Sequence, residues 1–87
     1  MRAQTILIAD DDSSFRRVLE YQLKLAGYNV LTAEDGNRAL DIFSQNRCHA
    51  VLTDLDMPVL SGNELLRAIK QQSPDTPVII ITAYGTI

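Results

Sequence analysis

Thr5-Ile6-Leu7-Ile8-Ala9-Asp10-Asp11-Asp12 runs five residues without a charge and then meets three aspartates in a row. A short apolar run stopped so abruptly reads as a strand buried on both faces. The residues after it change period. Asp12, Ser13 and Ser14 are all good N-cap residues. Phe15, Val18, Leu19, Leu23 and Ala26 then recur at helical spacing as far as Gly27, a natural stop. Gln22 falls inside that apolar arc and weakens it slightly.

The same unit repeats along the chain. Tyr28 to Thr32 reads as a second strand, and Asp35-Gly36 opens a helix that carries Ala39, Leu40 and Phe43 inward. Ala50 to Thr53 forms a third strand that ends at Asp54. Met57-Pro58 interrupts regular structure, because proline drives the preceding residue out of the helical region. Ser61 caps a third helix with Leu65, Leu66 and Ile69 on its buried side. Ser73-Pro74-Asp75-Thr76-Pro77 is a turn, and Val78 to Ile81 is the most hydrophobic run in the sequence. Alternating strands and helices with continuously apolar strands predict an α/β fold, a parallel sheet covered by helices. In such sheets chemistry gathers at the carboxyl ends of the strands. Those ends are Asp10-Asp11-Asp12, Asp54 and Thr82.

The bulk properties bound the function. Eighty-seven residues make one small domain, residues 1–87 without a linker, and 46% hydrophobic with 22% charged residues fits a globular chain. A net charge of −3 with mixed signs argues against a nucleic-acid surface. Cys48 is the one cysteine, so neither an internal disulfide nor a multi-cysteine metal site is available, and the cytoplasm is the expected compartment. No apolar run approaches the roughly 20 residues of a membrane span, and no membrane association is expected.

If the first and third strands are neighbours, Asp10, Asp11 and Asp54 converge. Two carboxylates about 4 Å apart repel by roughly 4 kcal/mol at an effective dielectric near 20. Either one of them takes up a proton or a cation neutralises them. An oxygen-only donor set suits a hard ion, and Mg²⁺ that also contacts phosphate is the usual one. A carboxylate can itself attack phosphorus to form an acyl phosphate. Thr82 could donate its hydroxyl to that phosphate, and the small Ala83 would let a backbone N–H approach it. Blander readings apply elsewhere. Asp12 is more simply a helix cap, Met57 packing, Cys48 a small buried hydrophobe, His49 a loop residue, and Arg16-Arg17 the solvated side of the first helix.

Three ordered segments resemble those of a response-regulator receiver domain: Ile6-Leu7-Ile8-Ala9-Asp10-Asp11-Asp12 with Arg16, Val51-Leu52-Thr53-Asp54-Leu55-Asp56-Met57-Pro58 with Ser61-Gly62, and Pro77-Val78-Ile79-Ile80-Ile81-Thr82-Ala83. The resemblance implies a flavodoxin-like doubly wound sheet and a phosphoacceptor function, with Asp54 receiving the phosphoryl group from a sensor histidine kinase. It implies Mg²⁺ held by Asp10, Asp11, Asp54 and the backbone carbonyl of Asp56, and Thr82 and Ala83 as phosphate-contacting switch positions. An output domain would lie outside these residues, and the ending Ala83-Tyr84-Gly85-Thr86-Ile87 resembles receivers attached to transcriptional activators. The family's pattern continues through a helix, a fifth strand and a final helix, so the fold is expected to be incomplete after its fourth strand. The lysine and the aromatic switch residue of that portion have no counterpart here, and Lys70, on the third helix, cannot replace the lysine. The exposed fourth strand is then expected to self-associate.

Two other classes compete. Asp54-Leu55-Asp56 after an apolar strand also resembles the nucleophile segment of haloacid-dehalogenase-type phosphatases, in which the second aspartate works as acid and base. The Asp10-Asp11 pair fits that family poorly. The third reading is an interaction module with a vestigial pocket.

Overall fold

The computed structural model describes residues 3–57 and 59–81. Its elements are β1 (Thr5–Ala9), α1 (Ser13–Leu25), β2 (Asn29–Ala33), α2 (Gly36–Gln45), β3 (Ala50–Asp54), α3 (Gly62–Gln72) and β4 (Val78–Ile81). Three local signals start the helices. Asp12 accepts from the N–H groups of Ser14 and Phe15, and Asp35 from that of Arg38. Ser61 and Glu64 form a reciprocal capping box at the head of α3.

Helix α1 stops where the sequence places its glycine. Gly27 takes φ 99°, a left-handed conformation that glycine adopts without Cβ strain. Its N–H bonds the Lys24 carbonyl at 3.0 Å, and the Tyr28 N–H bonds the Leu23 carbonyl at 3.1 Å. That closure corrects one expected boundary. Tyr28 is spent on finishing the helix, so β2 starts at Asn29 and runs on to Ala33 rather than covering 28–32.

The four strands are parallel in the order β2-β1-β3-β4. This is the α/β arrangement expected of a flavodoxin-like sheet carried as far as its fourth strand. Alternate residues face opposite sides. On one side Leu7, Ala9 and Val51 pack with Ala39 and Phe43 of α2 and Leu65 and Ile69 of α3 to make the core, with Met57 and Cys48 at its margin. On the other side α1 packs against β1 and β2. It buries none of its residues fully, and Phe15 and Val18 stay exposed. Among the described residues no helix is long and apolar enough to cross a membrane.

Between β3 and α3 the chain passes through Val59 at φ 70° with its side chain exposed. A β-branched residue is disfavoured in that region, whereas asparagine tolerates it. Val59→Asn is therefore expected to raise stability by about 1 kcal/mol, since no packing is lost. Thermal denaturation checks this, and an unchanged or lower midpoint contradicts it.

Candidate functional site

Register assembles the acidic site. Ala9 pairs with Thr53 across β1 and β3, so Asp10 and Asp54 stand one step beyond the last matched pair on adjacent strands. Neighbouring strands lie about 4.8 Å apart, and matched residues of parallel strands point to the same side. Carboxylate oxygens of Asp10, Asp11 and Asp54 lie within 4.8 Å of one another. The structure thus brings together the three aspartates that strand-end position singles out.

Each is held differently. Asp10 is buried, and its Oδ1 accepts from the Asp12 N–H at 2.8 Å. Its carbonyl accepts from Arg16 Nη1 at 2.6 Å. Asp11 is exposed, and Asp54 is half-buried at the end of β3. Asp12 is committed to capping α1. Asp56 is exposed beyond the strand, and its carboxylate does not join the cluster. Thr82 and Ala83 lie outside the described residues.

Burial, followed by the Asp11 and Asp12 charges, raises the Asp10 carboxyl above its ordinary value, while the Asp12 N–H and Arg16 oppose the rise. Asp54 is raised as well, first by burial and then by Asp10 and Asp11, against the N–H groups of Asp56 and Leu55. The cluster therefore carries more negative charge than its own protein environment neutralises. That excess, in an all-oxygen donor set without histidine or thiolate, fits a hard divalent cation such as Mg²⁺.

The loop after Asp54 is pinned from several directions. Fully buried Thr53 donates its hydroxyl to the Asp54 carbonyl at 3.0 Å and touches Met57 Sδ at 4.0 Å. Gly62 N–H bonds the Leu55 carbonyl at 2.9 Å. A Cβ on Gly62 would sit 3.0 Å from Leu55 Cα and closer still to the Asp54 carbonyl oxygen, so only glycine lets α3 start this near the strand end.

Two residues depart from the sequence reading. Arg16 is not part of the solvated face of α1, because it reaches back to the Asp10 backbone; Arg17 beside it is exposed. An arginine one turn after an aspartate run was the available signal. His49 is more than a loop residue: its Nδ1 accepts from the Thr5 N–H at 2.9 Å, closing β1 to β3 at the opposite end of the sheet.

Comparison with known proteins points one way. The family model described as the response regulator receiver domain matches residues 6–87. A probable transcriptional regulator, ycf27, of Galdieria sulphuraria is 44% identical over 86 residues, covering 99% of this chain and 33% of its own length. Response regulator MprA of Mycobacterium sp. (strain KMS) is 39% identical over 82 residues, covering 94% of this chain and 36% of its own. The chain spans about a third of the length of the curated relatives it matches. Among solved structures, chemotaxis response regulator CheY4 of Vibrio cholerae has a TM-score of 0.91 at 33% identity, covering 98% of this chain and 72% of that one. Response regulator TrrA of Thermotoga maritima, solved with Mg²⁺ and BeF, has a TM-score of 0.90 at 35% identity over 94% of this chain and 71% of that one.

Proposed function

This chain belongs to the response regulator receiver domain family, a family of two-component signalling domains, and from that premise we propose that Asp54 is its phosphoacceptor. The supporting observation is the set of Asp10, Asp11 and Asp54 carboxylates within 4.8 Å of one another at the ends of adjacent strands. Asp10 is buried and hydrogen-bonded, and Asp12 is engaged in a cap, whereas Asp54 stands half-buried at the mouth of the site. A carboxylate oxygen of Asp54 attacks phosphorus of the donor, a phosphohistidine of a sensor kinase or acetyl phosphate. The new O–P bond gives an acyl phosphate, and the donor's bond to phosphorus breaks with its electron pair leaving on imidazole or acetate.

Asp10, Asp11, Asp54 and the Asp56 carbonyl would hold Mg²⁺, which supplies charge neutralisation for the transferred group when bound. Thr82 and Ala83 would contact the phosphoryl oxygens. A sensor kinase and a transcriptional output domain follow from the likeness to ycf27 and MprA. Intact mass after acetyl phosphate with Mg²⁺ tests the assignment. One added phosphoryl group that persists without turnover supports a receiver; steady release of phosphate from p-nitrophenyl phosphate would instead identify a phosphatase.

A polypeptide of these 87 residues is also expected to self-associate. Strand β4 is the outer strand of the described sheet, Ile79 on it is 52% exposed, and an open apolar edge templates pairing with a second chain. Sedimentation at micromolar concentration checks this; a sharp monomer with slowly exchanging Val78–Ile81 amides contradicts it.

A further inference from the structure

We infer that Gly36, on α2, is a positioning residue for the loop that follows Asp54; this rests on the reading of Asp54 as acceptor. Gly36 is the first residue of α2, and its φ is not positive, unlike that of Gly27. Backbone freedom therefore does not explain it, and glycine is a poor helix former. What it contributes is the absence of a Cβ. A Cβ there would lie 2.6 Å from Leu60 Cβ and closer still to the Leu60 carbonyl oxygen.

Leu60 lies on the loop between Asp54 and α3 and packs against the core. Other attachments reach that loop from β3, α3 and β4: Thr53 to Met57, Gly62 to Leu55, the Ser61–Glu64 box, and the Leu55 N–H to the Ile81 carbonyl. Gly36 provides the seat on α2. Ordinary contact begins near 3.4 Å, so an alanine at 36 must push the two segments apart by roughly 1 Å, a displacement that can cost a reaction tenfold or more. The shift would fall on the stretch carrying Asp56, whose carbonyl is assigned to the metal.

Gly36→Ala is expected to slow labelling of Asp54 by acetyl phosphate on the order of tenfold. It should also move the backbone amide resonances of residues 55–57 and 59–61. Arg38→Gly, an exposed change that weakens the same helix, should do neither. Shifts confined to α2, or equal slowing in both variants, would overturn the inference. If the wild-type chain takes no label, the acceptor reading fails while the amide shifts still decide the positioning role. If Gly36→Ala does not fold, Leu60→Gly is measured alone, since it removes from the loop side the Cβ that rests on Gly36. Slowed labelling with shifted amides at residues 55–57 supports the inference, and wild-type rates and shifts count against it.

Discussion

Asp54→Asn is expected to take no phosphoryl group from acetyl phosphate and Mg²⁺ under conditions that label the wild-type chain to one group per molecule. The loss should be complete, because the amide is not a nucleophile and the neighbouring aspartates are committed elsewhere: Asp11, exposed in the same cluster, is assigned to the metal. Asp10 is sequestered by burial and by the Asp12 N–H. Asp12 is held by the Ser14 and Phe15 N–H groups. Asp56 is exposed and its carboxylate stays out of the cluster. The same substitution should leave the fold intact and raise its stability without Mg²⁺, since it removes one of three crowded charges. Intact mass and thermal unfolding read the two effects together. Residual label, mapped by borohydride trapping to another aspartate, would overturn the assignment.

The aspartates are legible in the sequence because they directly follow the strand runs Thr5–Ala9 and Ala50–Thr53, and a buried parallel strand has its chemistry at that end. Their convergence depends on β1 and β3 being neighbours, a condition that the pairing of Ala9 with Thr53 meets. The supports of the site are only partly legible, for physical reasons that differ. Arg16 shows a charge on a polar helix face, and its bond to the Asp10 carbonyl depends on the angle at which α1 leaves the sheet. Gly36 looked like a helix-opening residue after a good cap; only the packing of α2 against Leu60 shows what a side chain there would displace. Thr53 read as a strand threonine, and its hydroxyl bond to the Asp54 carbonyl depends on a rotamer that no pattern encodes. The Tyr28 boundary failed for a simpler reason. The Tyr28 N–H is needed to close the preceding helix, so the strand begins one residue later.

Asp11→Ala is expected to weaken Mg²⁺ binding by about thirtyfold, the factor for removing one unit charge about 4 Å from a divalent ion at the dielectric of water. Salt screening lowers that factor for an exposed carboxylate, and partial enclosure of the site raises it. Protons should compete with the ion at the remaining two positions. Asp10 and Asp54 have folded-state carboxyls raised above the ordinary 3.8. Folding therefore favours their protonated forms. Their ionisation destabilises the fold fully above the raised values, and that burden is relieved as pH falls through them. Divalent binding at neutral pH relieves the same repulsion. Affinity for Mg²⁺ should accordingly rise with pH through the window above 3.8 and level off once both groups are ionised. Stability without the ion should move the opposite way across that window. Calorimetric titration at mildly acidic and at neutral pH, on wild type and on Asp11→Ala, measures the affinity, and thermal unfolding without the ion measures the stability. The variant should keep the pH trend at lower affinity, because Asp10 and Asp54 still repel each other and Asp11 contributes charge from an exposed position. Equal affinity in the two proteins would mean that Asp11 does not face the ion, and a flat pH profile would mean that Asp10 and Asp54 do not hold it.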